Sequence, residues 1–222
     1  MPRPDPAGGR RRTRRGRSAT RLIGHLRGRV IRAAQDQVVL DVGGVGYLVS
    51  LPASARESVP AVGAREEAAL HIHTVVREDQ LALYGFASAE DLELFQMLIQ
   101  VDGVGPKVAL AILSVASRDV LKRAILADDV APIRRASGVG ARTAQKVIID
   151  LKPRLQAEAA LLALPSTPHG ASDGEAQTQV ESALRSLGFS AQQAKQGLDA
   201  VDWKAEPAAQ AALAAALKAL GR

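Results

Sequence analysis

A short repeat of glycine and basic residues carries the clearest chemical signal in the sequence. Residues 103–109, Gly-Val-Gly-Pro-Lys-Val-Ala, align with residues 138–144, Gly-Val-Gly-Ala-Arg-Thr-Ala, at an offset of 35 residues. Apolar residues at helical spacing flank both copies, so each copy is predicted to join two helices. Glycine permits a positive φ and a close backbone approach, the valine between the glycines can turn inward, and the first N–H groups of a helix favour an anion. The repeat therefore predicts two anion sites.

Basic side chains lie where they would strengthen these sites. Lys107 and Arg142 occupy equivalent positions on the first turn of the second helix of each copy, and Pro106 suits that turn. A lone Gly-x-Gly is usually an ordinary turn, but two copies in register, each with a basic residue, favour phosphate binding. The arrangement resembles helix-hairpin-helix units, which bind the DNA backbone without reading bases. The predicted phosphate-binding residues are Gly103, Gly105, Lys107, Gly138, Gly140, Arg142, Thr143 and Lys146.

The net charge of +6 on the 222 residues is unevenly distributed. Residues 101–157, which contain the repeat, hold ten basic and five acidic residues, whereas residues 22–100 and 158–222 are net acidic. This internal basic block supports a nucleic-acid partner. Residues 1–21 hold eight Arg and one Asp. They are predicted to be a disordered extension, which is either a basic arm that binds DNA phosphates or a passive solvated segment that follows from a mis-set translation start or has no role.

Several function classes are excluded or disfavoured. The chain has no Cys, which excludes disulfides and thiolate metal sites and fits a cytoplasmic location. It has no Gly-Lys-Ser or Gly-Lys-Thr, so it lacks a P-loop for ATP hydrolysis, and it has no apolar run that could span a membrane. His71 and His73 share a strand face but have no third ligand nearby, so they are interpreted as strand histidines. No catalytic residue, metal or cofactor is predicted.

The surrounding pattern predicts a mixed β and α multidomain protein. Within residues 22–87, apolar and polar positions alternate at 38–42, 45–51, 70–76 and 81–83, as four or five short antiparallel strands of an OB-fold barrel would. Residues 88–156 are helical, beginning at the cap-like Ser88-Ala-Glu-Asp91 and breaking at both hairpins, so they form a tandem helix-hairpin-helix domain. Residues 157–175 gather Pro, Ser and Gly as a flexible linker. Residues 176–222 form a small three-helix, UBA-like domain.

This order of modules resembles the RuvA family along nearly all of residues 22–222. Residues 22–28, 43–47, 76–79, 83–86 and 187–189 carry the resemblance together with both hairpins. Family members usually begin with Met where this chain has Leu22, which favours the interpretation that residues 1–21 are not translated. Many relatives also have two adjacent basic residues in the second hairpin. Here Ala141 precedes Arg142, and Lys146, one turn on, is placed to compensate.

The resemblance implies a non-catalytic subunit that binds four-way (Holliday) junctions without sequence specificity and holds them open and square-planar. It implies a homotetramer, single or paired, whose C-terminal domain recruits a RuvB-type AAA+ ATPase for branch migration in recombination and repair. A RuvC-type resolvase would be a further partner. It also implies that Glu78 and Asp79 form an acidic pin at the crossover. From the residues alone, this acidic pair fits a solvated turn.

An alternative is a helix-hairpin-helix DNA repair enzyme, either a glycosylase or a nuclease. Such a glycosylase needs a catalytic Asp about twenty residues beyond a hairpin glycine. Ala159 and Ala160 lie there after the second hairpin, whereas Asp128 and Asp129 follow the first and also fit a helix cap. No carboxylate cluster for a nuclease stands out. A single-strand-binding barrel is disfavoured because its only candidate stacking residues are Tyr47, Tyr84 and Phe86.

Overall fold

A computed structural model describes residues 22–76, 81–164, 173–203 and 208–221, and it shows a five-stranded barrel followed by two helical domains. The predicted mixed β and α architecture is confirmed. A short helix, α1 (Ala53–Glu57), lies between the third and fourth strands. The strands are β1 (His25–Ala33), β2 (Gln37–Val42), β3 (Val45–Ser50), β4 (Ala68–Val76) and β5 (Leu81–Phe86).

The strands close into a barrel in the order β1-β2-β3-β5-β4, as the OB-fold prediction requires. Neighbouring strands are antiparallel except β3 and β5, which are parallel. Alternate side chains point inward and form the barrel core, which includes Val30, Leu40, Val49, Leu70 and Ile72. Strand β1 was not among the strands that alternation predicted, because Gly28 occupies one of its inward positions.

A two-residue turn connects one of the strand pairs. Gly43 and Gly44 have φ of 62° and 88° and join β2 to β3, as a two-residue hairpin turn requires. The Asp41 carboxylate accepts a hydrogen bond of 2.8 Å from the Gly44 backbone N–H. Strands β4 and β5 stay paired as far as Val76 and Leu81. The predicted acidic pair, Glu78 and Asp79, lies in the connection between them, outside the described residues.

Two glycines allow the barrel to close tightly. A Cβ atom on Gly28 in β1 would lie 2.2 Å from the backbone carbonyl oxygen of Asp41 in β2. A Cβ atom on Gly85 in β5 would lie 2.6 Å from a methyl carbon of Val49. Neither distance is compatible with a side chain. Gly28 therefore allows β1 to lie close to the β2 backbone, and Gly85 leaves room for the core side chains that pack against it.

The central domain consists of five helices, and its first one begins where the sequence predicts. The Ser88 hydroxyl accepts a hydrogen bond of 3.1 Å from the Asp91 backbone N–H, which caps that helix. The helices are α2 (Ala89–Leu98), α3 (Pro106–Val115), α4 (Arg118–Leu126), α5 (Ala131–Arg134) and α6 (Ala141–Ala163).

An aromatic cluster joins the barrel to this helical domain. The ring of Phe95 in α2 lies 4.8 Å from that of Phe86 and 5.5 Å from that of Tyr84, measured between ring centroids. Both partners belong to β5, and Phe86 is part of the buried core of the helical domain. Since residues of β5 complete the core of the helical domain, the barrel and the hairpins form one continuous packed unit.

Helix α6 corrects the predicted linker. It continues to Ala163, so residues 157–163 are helical rather than flexible. Ala157, Ala160 and Leu161 pack against the core of the C-terminal domain, and this tertiary contact gives the end of the helix a buried side. The other end of the predicted linker is also helical, because the next helix begins at Asp173. Residues 165–172 lie outside the described residues.

The C-terminal domain contains the three predicted helices, α7 (Asp173–Ser186), α8 (Ala191–Asp199) and α9 (Ala209–Ala219). Its core includes Val180 and Leu184 of α7 and Leu213 and Leu217 of α9, which lie at helical spacing on one face of each helix. A capping box between Ser190 and Gln193 begins α8. Throughout the described ranges, no helix combines the length and hydropathy needed to cross a membrane.

Candidate nucleic-acid interface

The two hairpins have the same backbone structure. Each begins with a glycine of positive φ, 84° at Gly103 and 81° at Gly138. In both, the middle valine donates a hydrogen bond to the carbonyl three residues earlier, and an alanine in the next helix donates to the second glycine. These bonds measure 3.0 Å (Val104 to Val101), 3.2 Å (Val139 to Ala136), 2.9 Å (Ala109 to Gly105) and 3.0 Å (Ala144 to Gly140). The sequence repeat is therefore also a structural repeat.

The second glycine of each hairpin differs from the first. Gly105 and Gly140 have φ of −83° and −84° and are the N-caps of α3 and α6. A Cβ atom on either would have no heavy atom within 4 Å, so the space beside them is open. Neither N-cap has a side chain that could accept from the first-turn N–H groups, which leaves these donors available to an external anion.

The middle valines anchor the hairpins. Val104 is 4% exposed and belongs to the core of the helical domain, and Val139 is half-buried against the same core. This confirms that the apolar residue between the glycines points inward. Because the valine of each turn is held against the core, the backbone of the turn faces outward.

The hairpins lie next to each other. A Cβ atom on Gly138 would lie 3.6 Å from a methyl carbon of Val108, which belongs to the first turn of α3. The Lys146 ammonium of α6 lies 2.7 Å from the Asp102 carboxylate, directly before the first hairpin. The structure thus brings together the two predicted anion sites, which are 35 residues apart in sequence.

Each hairpin presents an exposed basic residue beside its helix N-terminus. Lys107 and Arg142 are exposed on the first turns of α3 and α6, and neither forms a salt bridge with a described residue. Thr143, beside Arg142, is half-buried. Three other basic residues of this domain are paired with carboxylates: Arg118 with Asp119 and Glu90, Lys122 with Glu158, and Lys152 with Asp128. Arg123 and Arg154 have no salt bridge with a described residue and donate hydrogen bonds to the Asp119 backbone carbonyl and the Gln100 side chain.

Two further basic residues belong to this region. Arg134 and Arg135 are exposed between the end of α5 and the second hairpin and have no salt bridge among the described residues. They belong to the basic block of residues 101–157, but no sequence pattern distinguishes them within it. Their position adds positive charge beside the second hairpin, where Ala141 precedes Arg142.

The residues that an enzyme would need have structural partners. The Asp129 carboxylate accepts a hydrogen bond of 2.9 Å from the Ala131 backbone N–H at the start of α5, and Asp128 pairs with Lys152. The ring of His71 packs 5.8 Å from that of His25, and the ring of His73 packs 5.4 Å from that of Phe95. The described residues contain no group of three or more side chains arranged to hold a metal ion.

Known protein families match each of the three domains. The RuvA N-terminal domain matches residues 23–85, and the RuvA C-terminal domain matches residues 175–221. Between them, a SAM-like helix-hairpin-helix tandem matches residues 95–153, which contain both hairpins.

Whole proteins are similar along most of their length. A Symbiobacterium thermophilum protein named Holliday junction branch migration complex subunit RuvA is 40% identical over 212 residues, which cover 90% of this chain and all of the relative. Proteins of the same name from Stutzerimonas stutzeri and Pseudomonas putida are 40% and 37% identical and match 81% and 90% of this chain. The matches cover 90% and 98% of these two relatives. This chain therefore belongs to the RuvA family.

Proposed function

We propose that this chain is a non-catalytic subunit of a branch migration complex and binds four-way DNA junctions through backbone phosphates. The observation that carries the proposal is the pair of adjacent hairpins, each with an uncapped helix N-terminus and an exposed basic residue, Lys107 or Arg142. Such sites bind phosphate by backbone N–H groups and charge, so they hold DNA of any sequence. The rival assignment, a glycosylase or nuclease, is disfavoured because Asp128 and Asp129 have structural partners.

Geometry suggests how one subunit serves one arm of a junction. Two adjacent anion sites can hold neighbouring phosphates of a duplex. Because the barrel packs against the helical domain, it keeps a fixed orientation relative to the hairpins. A homotetramer with fourfold symmetry would match four arms, and two such tetramers could enclose the DNA. Glu78 and Asp79 of each subunit would then surround the crossover, where carboxylates repel phosphates and help to hold the strands apart.

The C-terminal domain is proposed to bind the RuvB-type AAA+ motor, and a RuvC-type resolvase would act on the same junction. Leu184 is fully buried, but Leu187, Phe189 and Trp203 are only half-buried around the domain's core. Their exposed parts offer an apolar surface to the motor. A role in chromosomal DNA recombination places the protein in the cytoplasm.

Junction preference is the direct test. We expect tighter binding to a synthetic four-way junction than to linear duplex of the same composition, with no dependence on base sequence. Affinity should fall steeply with salt because phosphate contacts release counterions. Gel-shift titrations at two salt concentrations, with junctions of two unrelated sequences, measure all three properties. Equal affinity for junction and duplex at the same salt, or cleavage of either DNA, would contradict the proposal.

The acidic pair provides a second test. Replacing Glu78 with Gln and Asp79 with Asn should tighten junction binding and reduce discrimination against duplex, because repulsion at the crossover is removed. Screening limits this repulsion to about 8 Å at physiological salt. The matched control is Glu57→Gln with Glu66→Gln, which removes the same charge from exposed positions elsewhere in the barrel domain. An unchanged junction-to-duplex affinity ratio would show that the pair is an ordinary solvated turn.

A further inference from the structure

Lys146 differs from the other cations proposed to bind phosphate. Its ammonium lies 2.7 Å from an oxygen of the Asp102 carboxylate, whereas Lys107 and Arg142 pair with no carboxylate among the described residues. The side chains of Lys146 and Asp102 are 41% and 92% exposed, so solvent and ligands can reach the pair. One of the three cations is thus already occupied by an anion of the protein itself.

The carboxylate belongs to the residue directly before the first hairpin. Asp102 directly precedes Gly103, the residue of positive φ that begins the hairpin. The hydrogen bond from Lys146 lowers the pKa of Asp102, so the carboxylate is fully ionised at neutral pH. A permanent negative charge therefore lies where a DNA phosphate is expected to approach.

We propose that Asp102 lowers the affinity of the paired hairpins for DNA by competing with phosphate for Lys146. The inference rests on the proposed function, because it assumes that the hairpins bind phosphate. Lys146 can meet a phosphate in full only after it releases the carboxylate. If it binds both anions at once, the phosphate experiences repulsion from Asp102. In either case the contribution of Lys146 to DNA binding is reduced.

A reduced affinity for DNA suits the proposed reaction. During branch migration each duplex arm advances past the hairpins, so every phosphate contact must break and form again at the next phosphate. When the Lys146 ammonium has left one phosphate and not yet reached the next, the Asp102 carboxylate can pair with it. Lys146 therefore stays paired throughout the step. Asp102 thereby limits how long each arm is held without removing the charge that attracts it.

A double-mutant cycle tests this role with Asp102→Asn, Lys146→Gln and both together, measured on junction DNA at two salt concentrations. Asp102→Asn should tighten binding roughly two- to fivefold, the range expected for release of an exposed ion pair. Lys146→Gln should weaken binding only slightly when Asp102 is present and several-fold more when Asn replaces it. The control Glu93→Gln removes one exposed carboxylate without a salt bridge and should leave the affinity nearly unchanged.

Other results would overturn the inference. Weaker binding by Asp102→Asn would show that the carboxylate positions Lys146 for DNA, and an equal effect of Lys146→Gln in both backgrounds would show no competition. Carboxyl NMR provides a readout without DNA, since Lys146→Gln should raise the pKa of Asp102 to its ordinary value. An unchanged pKa would show that the pair does not form. If the wild type bound neither junction nor duplex, the proposed function itself would fail.

Discussion

Replacing Lys107 and Arg142 together with alanine is expected to weaken junction binding at least about a hundredfold while the protein stays folded. A hydrogen bond to a charged group contributes about 1.5–3 kcal/mol, and each subunit would lose two. The dependence of affinity on salt should also become shallower, by about one counterion for each lost phosphate contact. Both residues are exposed on first helical turns, where a substitution usually changes stability by less than about 0.5 kcal/mol.

The matched control for this experiment is Lys122→Ala with Lys152→Ala. It removes the same charge from the same domain, but both lysines are paired with carboxylates, Glu158 and Asp128. We expect the control to bind the junction nearly as the wild type does. Circular dichroism and thermal unfolding of each variant establish that it is folded. A Lys107 and Arg142 variant that binds normally at moderate salt, or a control that loses as much affinity, would refute the phosphate-site assignment.

Replacing Gly28 with alanine is expected to destabilise the barrel by about 3 kcal/mol or more, the upper part of the range for overpacking. The added Cβ atom would lie 2.2 Å from the Asp41 carbonyl oxygen and 2.9 Å from its carbonyl carbon. Because these are backbone atoms, no side-chain rotation can relieve the contact. Strands β1 and β2 would have to separate near the Arg29–Asp41 pair, which would weaken the closure of the barrel.

Gly24→Ala is the matched control, since a Cβ atom there would have no heavy atom within 4 Å. We expect its free energy of unfolding to change by less than about 0.5 kcal/mol. Urea unfolding followed by fluorescence of the barrel's two tyrosines, Tyr47 and Tyr84, would compare the variants, with Trp203 replaced to remove its signal. If Gly28→Ala proved as stable as Gly24→Ala, the close approach of β1 to β2 would be wrong.

Local sequence patterns predicted most of the fold because the relevant signals are local. Alternation identified β2 to β5, and Ser88 marked the start of α2 through a cap that spans only three residues. Strand β1 was missed because glycine and charged residues weaken its alternation. The linker prediction was wrong at residues 157–163 because their helical state depends on packing against a domain that lies later in the sequence.

The sequence likewise predicted most, but not all, of the candidate site. The repeat predicted both hairpins and the inward valines, but positive φ applies only to Gly103 and Gly138, since the second glycine of each pair is an ordinary N-cap. The pairing of Lys146 with Asp102 could not be predicted, because the two residues are 44 positions apart. It forms only once the hairpins lie side by side.

Helix α6 carries the second hairpin at its first residue and contacts the C-terminal domain with its last turns. Its 23 residues span about 34 Å at a rise of 1.5 Å per residue. Because successive residues of an α-helix are rotated about its axis, inserting one residue between the two ends would rotate everything beyond it by about 100°. Only changes near a whole number of turns would preserve the direction in which the C-terminal domain faces. The length of α6 is therefore constrained by rotational phase, independently of which side chains it bears.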